Sequence, residues 1–400
     1  MADMADMVLS GKNIIIGVTG GIAAYKACEI IRELKKEGAE VWPVMTEKAT
    51  RFITPLTLET LAKNPVSYDL FSLTPSSGIG HIELARKADL LLIAPATANI
   101  IGKISCGIAD DFLTNVAMAA SAPVVIAPSM NEMMYENPAV SENIGKLKKR
   151  GFRFVGPCMG ELACGWEGKG RMAAVEDIME AVKESLTERD LAGEKVLVTA
   201  GATREAIDPV RFVSNLSSGR MGYALAKAAK RRGAEVVLIS GPSFLPAPPG
   251  IAVVRVVSAE EMMDAAIKHF PQSTVVIMAA AVSDFRPTKT HSKKVKKVEA
   301  TLTIELEQTP DILREMGRKK KGQFLVGFAL ETENLVANAT EKLREKNLDM
   351  VVANGPTALD SDFNEITIID RTEKAESLLT ATKEDISEII LDKIAALKKG

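Results

Sequence analysis

The chain has 400 residues, 46% apolar and 26% charged, which is the balance of a folded globular protein and too much chain for one ordinary core. Its 50 Lys and Arg nearly cancel 52 Asp and Glu; a global basic field for nucleic acid is excluded, and phosphate chemistry must rest on local arrangements. No apolar run approaches the ~18 residues of a membrane span. Met1 to Ser10 lack the basic start and apolar stretch of a signal peptide, so the four cysteines are expected as reduced thiols in the cytoplasm. Cys158 and Cys164 have five residues between them and no nearby His, so no zinc site is expected.

In chain order, Lys12 to Gly17 is a β-branched run that continues into Val18-Thr19-Gly20-Gly21. Ala24, Ala27, Cys28, Ile31 and Leu34 then recur at helical spacing, Gly38 stops that helix, and Glu40 to Met45 reads as a second strand. Further strands are expected over 90–94, 123–127 and 152–155, with helices near 81–87, 109–120 and 138–150. A charged amphipathic helix over 176–191 precedes a new strand at Lys195 to Thr199, which places a boundary near residue 190 and domains at 1–190 and 191–400. The second half again reads strand, glycine turn and helix (Gly219 to Arg232), then a strand from Ala234 to Ser240. Later strands are expected at 251–257, 274–279, 301–306, 323–328 and 348–353. Strands alternating with helices predict an α/β protein of two Rossmann-like domains, each a mainly parallel sheet flanked by helices. Pro242 to Gly250 is a proline-rich loop, and Phe285 to Lys297, with Lys289, Lys293, Lys294, Lys296 and Lys297, reads as a mobile basic segment.

A strand that runs into Gly20-Gly21 and then a helix offers free backbone N–H groups and a positive dipole end to a phosphate. The dinucleotide pattern G-x-G-x-x-G is absent, and the second strand ends Val44-Met45-Thr46 without an acid for a ribose hydroxyl, which disfavours NAD. Thr46 suits a mononucleotide phosphate or a ribityl chain. Ala94-Pro95-Ala96-Thr97-Ala98-Asn99 follows a buried strand at its carboxyl end, the ligand face of open α/β sheets. Thr97 and Asn99 are placed either to bond a polar ring edge or to cap a helix.

Four motifs occur in order: Gly78-Ile79-Gly80-His81-Ile82, Pro95-Ala96-Thr97-Ala98-Asn99, Pro128-Ser129-Met130-Asn131-Glu132-Met133-Met134, and Ala163-Cys164-Gly165-Trp166-Glu167-Gly168-Lys169-Gly170-Arg171-Met172. Together they resemble the homo-oligomeric flavin-containing cysteine decarboxylases, in particular phosphopantothenoylcysteine decarboxylase. The resemblance implies an FMN held by Gly20, Gly21, Ile22, Ala23, Thr46, Ala96, Thr97 and Asn99. It also implies the reaction. FMN oxidises the cysteinyl thiol to a thioaldehyde, carbon dioxide leaves from the position β to that C=S group, and the resulting enethiolate is protonated and reduced. His81, one of three histidines, would assist decarboxylation, Asn131 would hold the substrate carboxylate, and Cys164 would donate the proton. A thiol near its ordinary pKa of ~8.5 still carries that proton at neutral pH, where a carboxylic acid does not.

In the second half, Asp208-Pro209-Val210-Arg211 and Ser214-Asn215-Leu216-Ser217-Ser218-Gly219 resemble the phosphopantothenoylcysteine synthetase domain, and Ser217-Ser218-Gly219 opening a helix is again an anion cradle. Met278-Ala279-Ala280-Ala281-Val282-Ser283-Asp284, Lys293 to Lys297, Thr309-Pro310-Asp311-Ile312-Leu313 and Val326-Gly327-Phe328 agree, as do Glu341-Lys342 and Glu345-Lys346. The resemblance implies ligation of cysteine to 4′-phosphopantothenate through an acyl-nucleotide. Negative charge grows on phosphoryl oxygens in that step, so cations lower its barrier. Lys294 is the expected clamp, Asn215 the group that stabilises the intermediate, and Asp284 the contact to nucleotide or Mg²⁺. Phe328 would pack on the base and Lys342 and Lys346 would reach the nucleotide, with Met278, Ala279, Ala280, Pro310, Asp311, Ile312 and Leu313 completing the site. The motifs point to CTP, although physical chemistry alone does not separate cytosine from adenine here. The resemblance further implies trimers through the flavin domain, often twelve subunits, paired through the second domain. Three other readings are a non-catalytic flavoprotein regulator, a peptidyl-cysteine decarboxylase and a nicotinamide oxidoreductase. The presence of His81, Asn131 and Cys164 argues against the first, the fused ligase half against the second, and the missing fingerprint against the third.

Overall fold

The computed structural model describes residues 8–70, 80–161, 167–295, 302–331, 333–355 and 363–399. Contacts divide the chain into two compact units, Met1–Thr187 and Glu188–Gly400.

The first unit runs β1 (Asn13–Val18), α1 (Ala27–Lys36), β2 (Glu40–Met45), α2 (Pro55–Ala62), α3 (His81–Lys87), β3 (Leu90–Ala96), α4 (Ala98–Cys106), α5 (Phe112–Ala119), β4 (Val124–Pro128), α6 (Glu132–Glu136), α7 (Pro138–Lys149), β5 (Arg153–Phe154), a hairpin of β6 (Cys158–Glu161) and β7 (Glu167–Arg171), and α8 (Val175–Leu186). The main sheet has the order β2-β1-β3-β4-β5, and every pairing in it is parallel. All seven residues of β3 are buried, the unbroken apolar run of a strand covered on both faces. Along β1 the two faces separate cleanly. Ile14, Ile16 and Val18 pack with Ile30 of α1 and Ile178 of α8, whereas Ile15 packs with Ile100 and Leu113. The left-handed Gly38 (φ 79°) ends the turn after α1, as its position after the apolar stripe predicts. Three helices of this unit were not legible, the five-residue α6 among them. The eight-residue α2 starts at Pro55, and α4 begins where Thr97 turns out to be an N-cap, its Oγ1 accepting Ile100 N–H at 3.5 Å.

The second unit runs β8 (Lys195–Ala200), β9 (Arg204–Ala206), β10 (Phe212–Ser214), α9 (Arg220–Arg231), β11 (Glu235–Ser240), β12 (Ala252–Arg255), α10 (Ala259–His269), β13 (Val275–Met278), β14 (Phe285–Pro287), β15 (Leu306–Gln308), α11 (Ile312–Lys319), β16 (Phe324–Leu330), α12 (Leu335–Glu345), β17 (Met350–Asn354), β18 (Phe363–Asp370), β19 (Ala375–Thr382) and α13 (Lys383–Lys399). Its large sheet has the order β12-β11-β8-β13-β16-β17-β18-β19, parallel as far as β17 and antiparallel beyond. One expectation is corrected here. Residues 302–305 are not strand, and the strand that follows, β15, pairs among the described residues only with β14, antiparallel. Leu302, Ile304 and Leu306 carry the strand period, yet Leu302 and Leu306 remain about half exposed. With no large sheet to join, the alternation yields only a two-stranded ribbon.

Candidate active sites

In the first sheet the chain order reverses between β1 and β3, and ligands of open parallel sheets bind outside the strand ends at such a point. Thr19, 1% exposed, joins the two strand ends. Its Oγ1 donates to the Pro95 carbonyl at 2.7 Å and accepts the Thr97 N–H at 3.1 Å. A cavity of about 1190 Å³ opens there, and Gly20, Gly21, Ile22, Ala23, Thr46, Thr97, Asn99 and Asn131 line it. Seven of the eight residues expected to hold the flavin therefore converge on one space. The eighth, Ala96, is the buried last residue of β3 and stands outside the lining. A Cβ on Gly20 would lie 2.5 Å from Lys48 Cβ and 2.9 Å from the Lys48 carbonyl carbon, so only glycine fits. Thr46 Oγ1 is buried without a hydrogen-bond partner among the described residues, an acceptor and donor facing a polar ligand site.

Asn131 caps α6, with Oδ1 accepting Met133 N–H at 2.9 Å, and lines the same cavity. His81 opens α3 and lies outside the lining. Its ring meets Phe112 edge to face at 6.1 Å, and Phe112 follows the cavity residue Asp111 in the chain. Cys164 lies outside the described residues. The sequence reading overlooked Lys26, Glu47, Lys48, Lys103, Ser129 and Arg171, which also line the cavity. Of these Ser129 and Arg171 stood inside quoted motifs, without a role assigned to either. Lys103 bonds Asp110 at 2.7 Å and Asp111 at 3.3 Å. Burial works against its charge, but the two carboxylates outweigh that and raise it above the ordinary lysine range.

In the second sheet the order reverses between β8 and β13. Thr199 Oγ1 accepts Ala280 N–H at 3.2 Å, and Thr203 Oγ1 accepts Ser283 N–H at 2.9 Å. Asn215 joins the same loop by donating from Nδ2 to the Val282 carbonyl at 3.0 Å. The exposed Asp284 accepts Thr309 N–H on its carbonyl at 2.9 Å, which ties it to Pro310 and Asp311. Asp311 caps α11 by accepting Arg314 N–H at 3.0 Å and pairs with Lys346 at 2.9 Å. Burial opposes its ionisation, yet the Arg314 N–H and Lys346 hold the carboxyl below the usual range. Lys342 donates to the Phe328 carbonyl at 2.7 Å. Burial first, and Lys346 second, push its ammonium below the ordinary value, against the pull of Glu331, Asp311 and Asp284. Asp284, Asp311, Phe328, Lys342 and Lys346 therefore form one polar cluster. The side chains of Met278, Ile312 and Leu313 are buried in the core, and those of Ala279 and Ala280 pack partly buried against it.

The basic segment is anchored where the sequence suggested mobility. Asp208 Oδ1 accepts Val210 and Arg211 N–H at 2.8 and 2.9 Å, and Oδ2 accepts Val295 N–H at 3.2 Å. Arg211 returns a bond to the Val295 carbonyl at 3.2 Å. Burial pulls the Asp208 carboxyl upward, but these N–H groups outweigh it and hold it low. Lys294, next to Val295, is exposed, and Lys296 and Lys297 lie outside the described residues. Among the described residues no cluster of three or more His, Cys, Asp or Glu could hold a metal, and no helix is long and apolar enough to cross a membrane.

Residues 5–187 match the flavoprotein family, and residues 191–397 match the family described as DNA/pantothenate metabolism flavoprotein C-terminal domain. The chain is 47% identical over 400 residues to the coenzyme A biosynthesis bifunctional protein CoaBC of Bacillus subtilis (strain 168), covering 98% of each. It is 45% identical over 359 residues to the protein of the same name from Vibrio cholerae serotype O1, covering 89% of this chain and 90% of that one. A solved C-terminal domain of a CoaBC protein is 43% identical and covers 53% of this chain and 99% of its own, with a TM-score of 0.47. Both halves and nearly the full length agree, and the chain belongs to the family of coenzyme A biosynthesis bifunctional proteins.

Proposed function

We propose that residues 1–190 bind FMN and decarboxylate 4′-phosphopantothenoylcysteine to 4′-phosphopantetheine. Residues 191–400 first make that substrate, joining cysteine to 4′-phosphopantothenate with CTP and Mg²⁺. The observation that carries the reading is the cavity of about 1190 Å³ at the β1/β3 reversal, built from the residues the motifs single out. It exceeds the ~300–1,000 Å³ of common ligand pockets, room for a cofactor and a substrate together.

The residues present fit a flavin mononucleotide. Gly20 and Gly21 leave backbone exposed to a phosphate, and the partnerless Thr46 Oγ1 offers it a further bond. Thr97 and Asn99 line the same cavity and would bond the polar edge of the ring. When bound, FMN supplies a reversible two-electron sink for the substrate sulfur. Asn131 holds the carboxylate that leaves as carbon dioxide, and His81 assists from the start of α3. Cys164 returns a proton to carbon. Arg171 adds a cation to the cavity wall.

In the second unit a carboxylate oxygen of 4′-phosphopantothenate attacks the α-phosphorus of CTP and pyrophosphate leaves. The cysteine amine then attacks the activated carbonyl and CMP leaves. Lys294, Lys342 and Lys346 offset the phosphoryl charge. Mg²⁺ takes most of its ligands from phosphate and water, with one or two carboxylates, so the exposed Asp284 fits it, while Asp311 is engaged by Lys346. Trimer-based assembly in the cytoplasm belongs to the same proposal; the exposure of Ile22 (60%) and Tyr25 (55%) at the cavity supports a covering subunit.

The test uses the purified full chain. Flavin absorbance is expected, and a mixture of 4′-phosphopantothenate, cysteine, CTP and Mg²⁺ should release pyrophosphate, CMP and carbon dioxide in equal amounts. A colourless protein that takes up no FMN would overturn the first half. Absence of CMP with a normal flavin spectrum would overturn the second.

A further inference from the structure

The hairpin after β5 sends its returning strand, β7, back along the start of α6, and three contacts hold it there. Glu132 Oε1 accepts Lys169 N–H at 2.9 Å. Met130 N–H donates to the Gly170 carbonyl at 3.0 Å. The Lys169 ammonium lies 5.5 Å from the Tyr135 ring centroid, within cation–π range. These contacts explain the glycines of β7. A Cβ at Gly168 would lie 2.5 Å from Glu132 Oε2, and one at Gly170 would lie 2.1 Å from the Met130 carbonyl oxygen. Gly170, Arg171 and Met172 then line the flavin-site cavity together with Met130 and Asn131, while Glu132 stays outside the lining.

We propose that Glu132 is a positioning residue for this wall: its carboxylate latches β7 onto the first turn of α6 and so sets Arg171 against Asn131. The proposal rests on the reading of the cavity as a cysteine decarboxylase site. Gly20, Gly21 and Thr46 belong to the turns after β1 and β2, which the three latch contacts do not involve, so the substrate senses its loss and the flavin does not. A hydrogen bond from a backbone N–H to an ionised carboxylate is among the stronger kinds. Glutamine keeps the acceptor atom and loses the charge.

The two glycines separate a latch from mere crowding. At Gly170 an added methyl group meets backbone, which nothing nearby relieves. At Gly168 the three nearest atoms among the described residues all belong to the end of the Glu132 side chain. Gly168→Ala should therefore displace the carboxylate and behave like Glu132→Ala. Once Glu132 is already alanine, the same methyl meets no carboxylate and should cost little more. Groups that act as one unit give this non-additive pattern.

In the full-length holoenzyme, Glu132→Ala and Gly168→Ala should each raise KM for phosphopantothenoylcysteine by about ten-fold, the scale of a lost charge-assisted bond. Flavin content should stay at the wild-type level, the double variant should be no worse than either single one, and Glu132→Gln should recover most of the loss. Amide hydrogen exchange across β7 should speed up in Glu132→Ala and Gly168→Ala and stay slow in Glu132→Gln. Costs that add in the double variant, flavin lost in step with activity, or unchanged KM and unchanged exchange would each overturn the latch. If the wild-type protein released no carbon dioxide while the exchange pattern held, the latch would stand and the decarboxylase reading would fall.

Discussion

The two units solve one topological problem with the same hydroxyl and then diverge at the glycine turn. Thr19 and Thr199 each sit at the end of the first strand and take a backbone N–H from across the reversal, Thr97 at 3.1 Å and Ala280 at 3.2 Å. In the first unit Gly20 admits the close approach of Lys48, and the turn opens onto the cavity. In the second, Gly201 and Gly219 are both left-handed (φ 78° and 83°), and a Cβ on Gly219 would lie 3.1 Å from Gly201 N. A Cβ on Gly241 would come within 2.4 Å of the Ala202 carbonyl oxygen. The first turn leaves space, whereas the second fills it with backbone, and the polar groups gather beyond β13 and β16 instead. A glycine-rich turn therefore announces a close approach without saying what approaches.

The sharpest way to break this comparison is to disable one chemistry and follow the other. Lys294→Gln removes a cation from the nucleotide step and should lower ligation by ~10²–10³-fold, the scale for one preorganised charge-stabilising group. Carbon dioxide release from supplied phosphopantothenoylcysteine should persist, and its loss would show that the two units do not divide the labour as assigned. Next come the glycines that admit backbone. Gly170→Ala drives a methyl group against the Met130 carbonyl, and Gly222→Ala drives one to 2.9 Å from the Thr199 carbonyl oxygen and 2.5 Å from Ala200 Cβ. Overpacking of this kind costs ~1–3 kcal/mol or more. Calorimetry should show a lowered transition for the altered unit only, with decarboxylation lost in the first variant and ligation in the second.

The threonine pair sharpens the comparison further. Thr19→Val and Thr199→Val each leave a backbone N–H without its acceptor, at about 1–3 kcal/mol. Thr19→Val should weaken FMN uptake, measured by flavin fluorescence, and leave CTP-dependent pyrophosphate release intact, and Thr199→Val should do the reverse. Equal damage to both readouts from either change would refute the parallel between the two reversals.

What the sequence disclosed follows the range of the forces involved. Parallel strands declare themselves because burial on both faces demands unbroken apolar runs, as in Leu90 to Ile93 and Val124 to Ile126. Gly38 and Gly233 mark helix ends by local backbone geometry. Thr46 and Gly20 were legible because they stand one and two residues after strands of the sheet. Lys48 was not, since the β2-β1-β3-β4 order brings its turn to the cavity, and Arg171, although inside a quoted motif, reaches it from the end of β7 in a separate hairpin. The anchoring of the lysine segment depends on Asp208 and Val295, 87 residues apart, and no local pattern announces it. The pair β18 and β19 went unread for a related reason, because antiparallel edge strands follow a run of parallel units whose grammar does not predict them.

The smallest expected effect is a proton count, and it contrasts the half-buried Lys342 of the second unit with the buried Lys183 of the first. Lys342 is held below the ordinary lysine value of 10.5, first by burial and then by Lys346. Between the lowered value and 10.5 the unfolded chain keeps a proton that the folded chain has released. The stability linked to this group is thus fully present above the ordinary value and lost as pH falls through the lowered one. An arriving triphosphate favours the ammonium, so CTP binding in that alkaline window should draw in a fraction of a proton. Titration calorimetry in two buffers of different ionisation enthalpy reads that uptake directly. Lys342→Gln should abolish it. Lys183, buried in the first unit, already has Glu37 as a counter-ion at 2.7 Å, and Lys183→Gln should leave the uptake unchanged. Uptake that survives Lys342→Gln would remove Lys342 from the nucleotide site and leave the second unit's polar cluster without its half-buried cation.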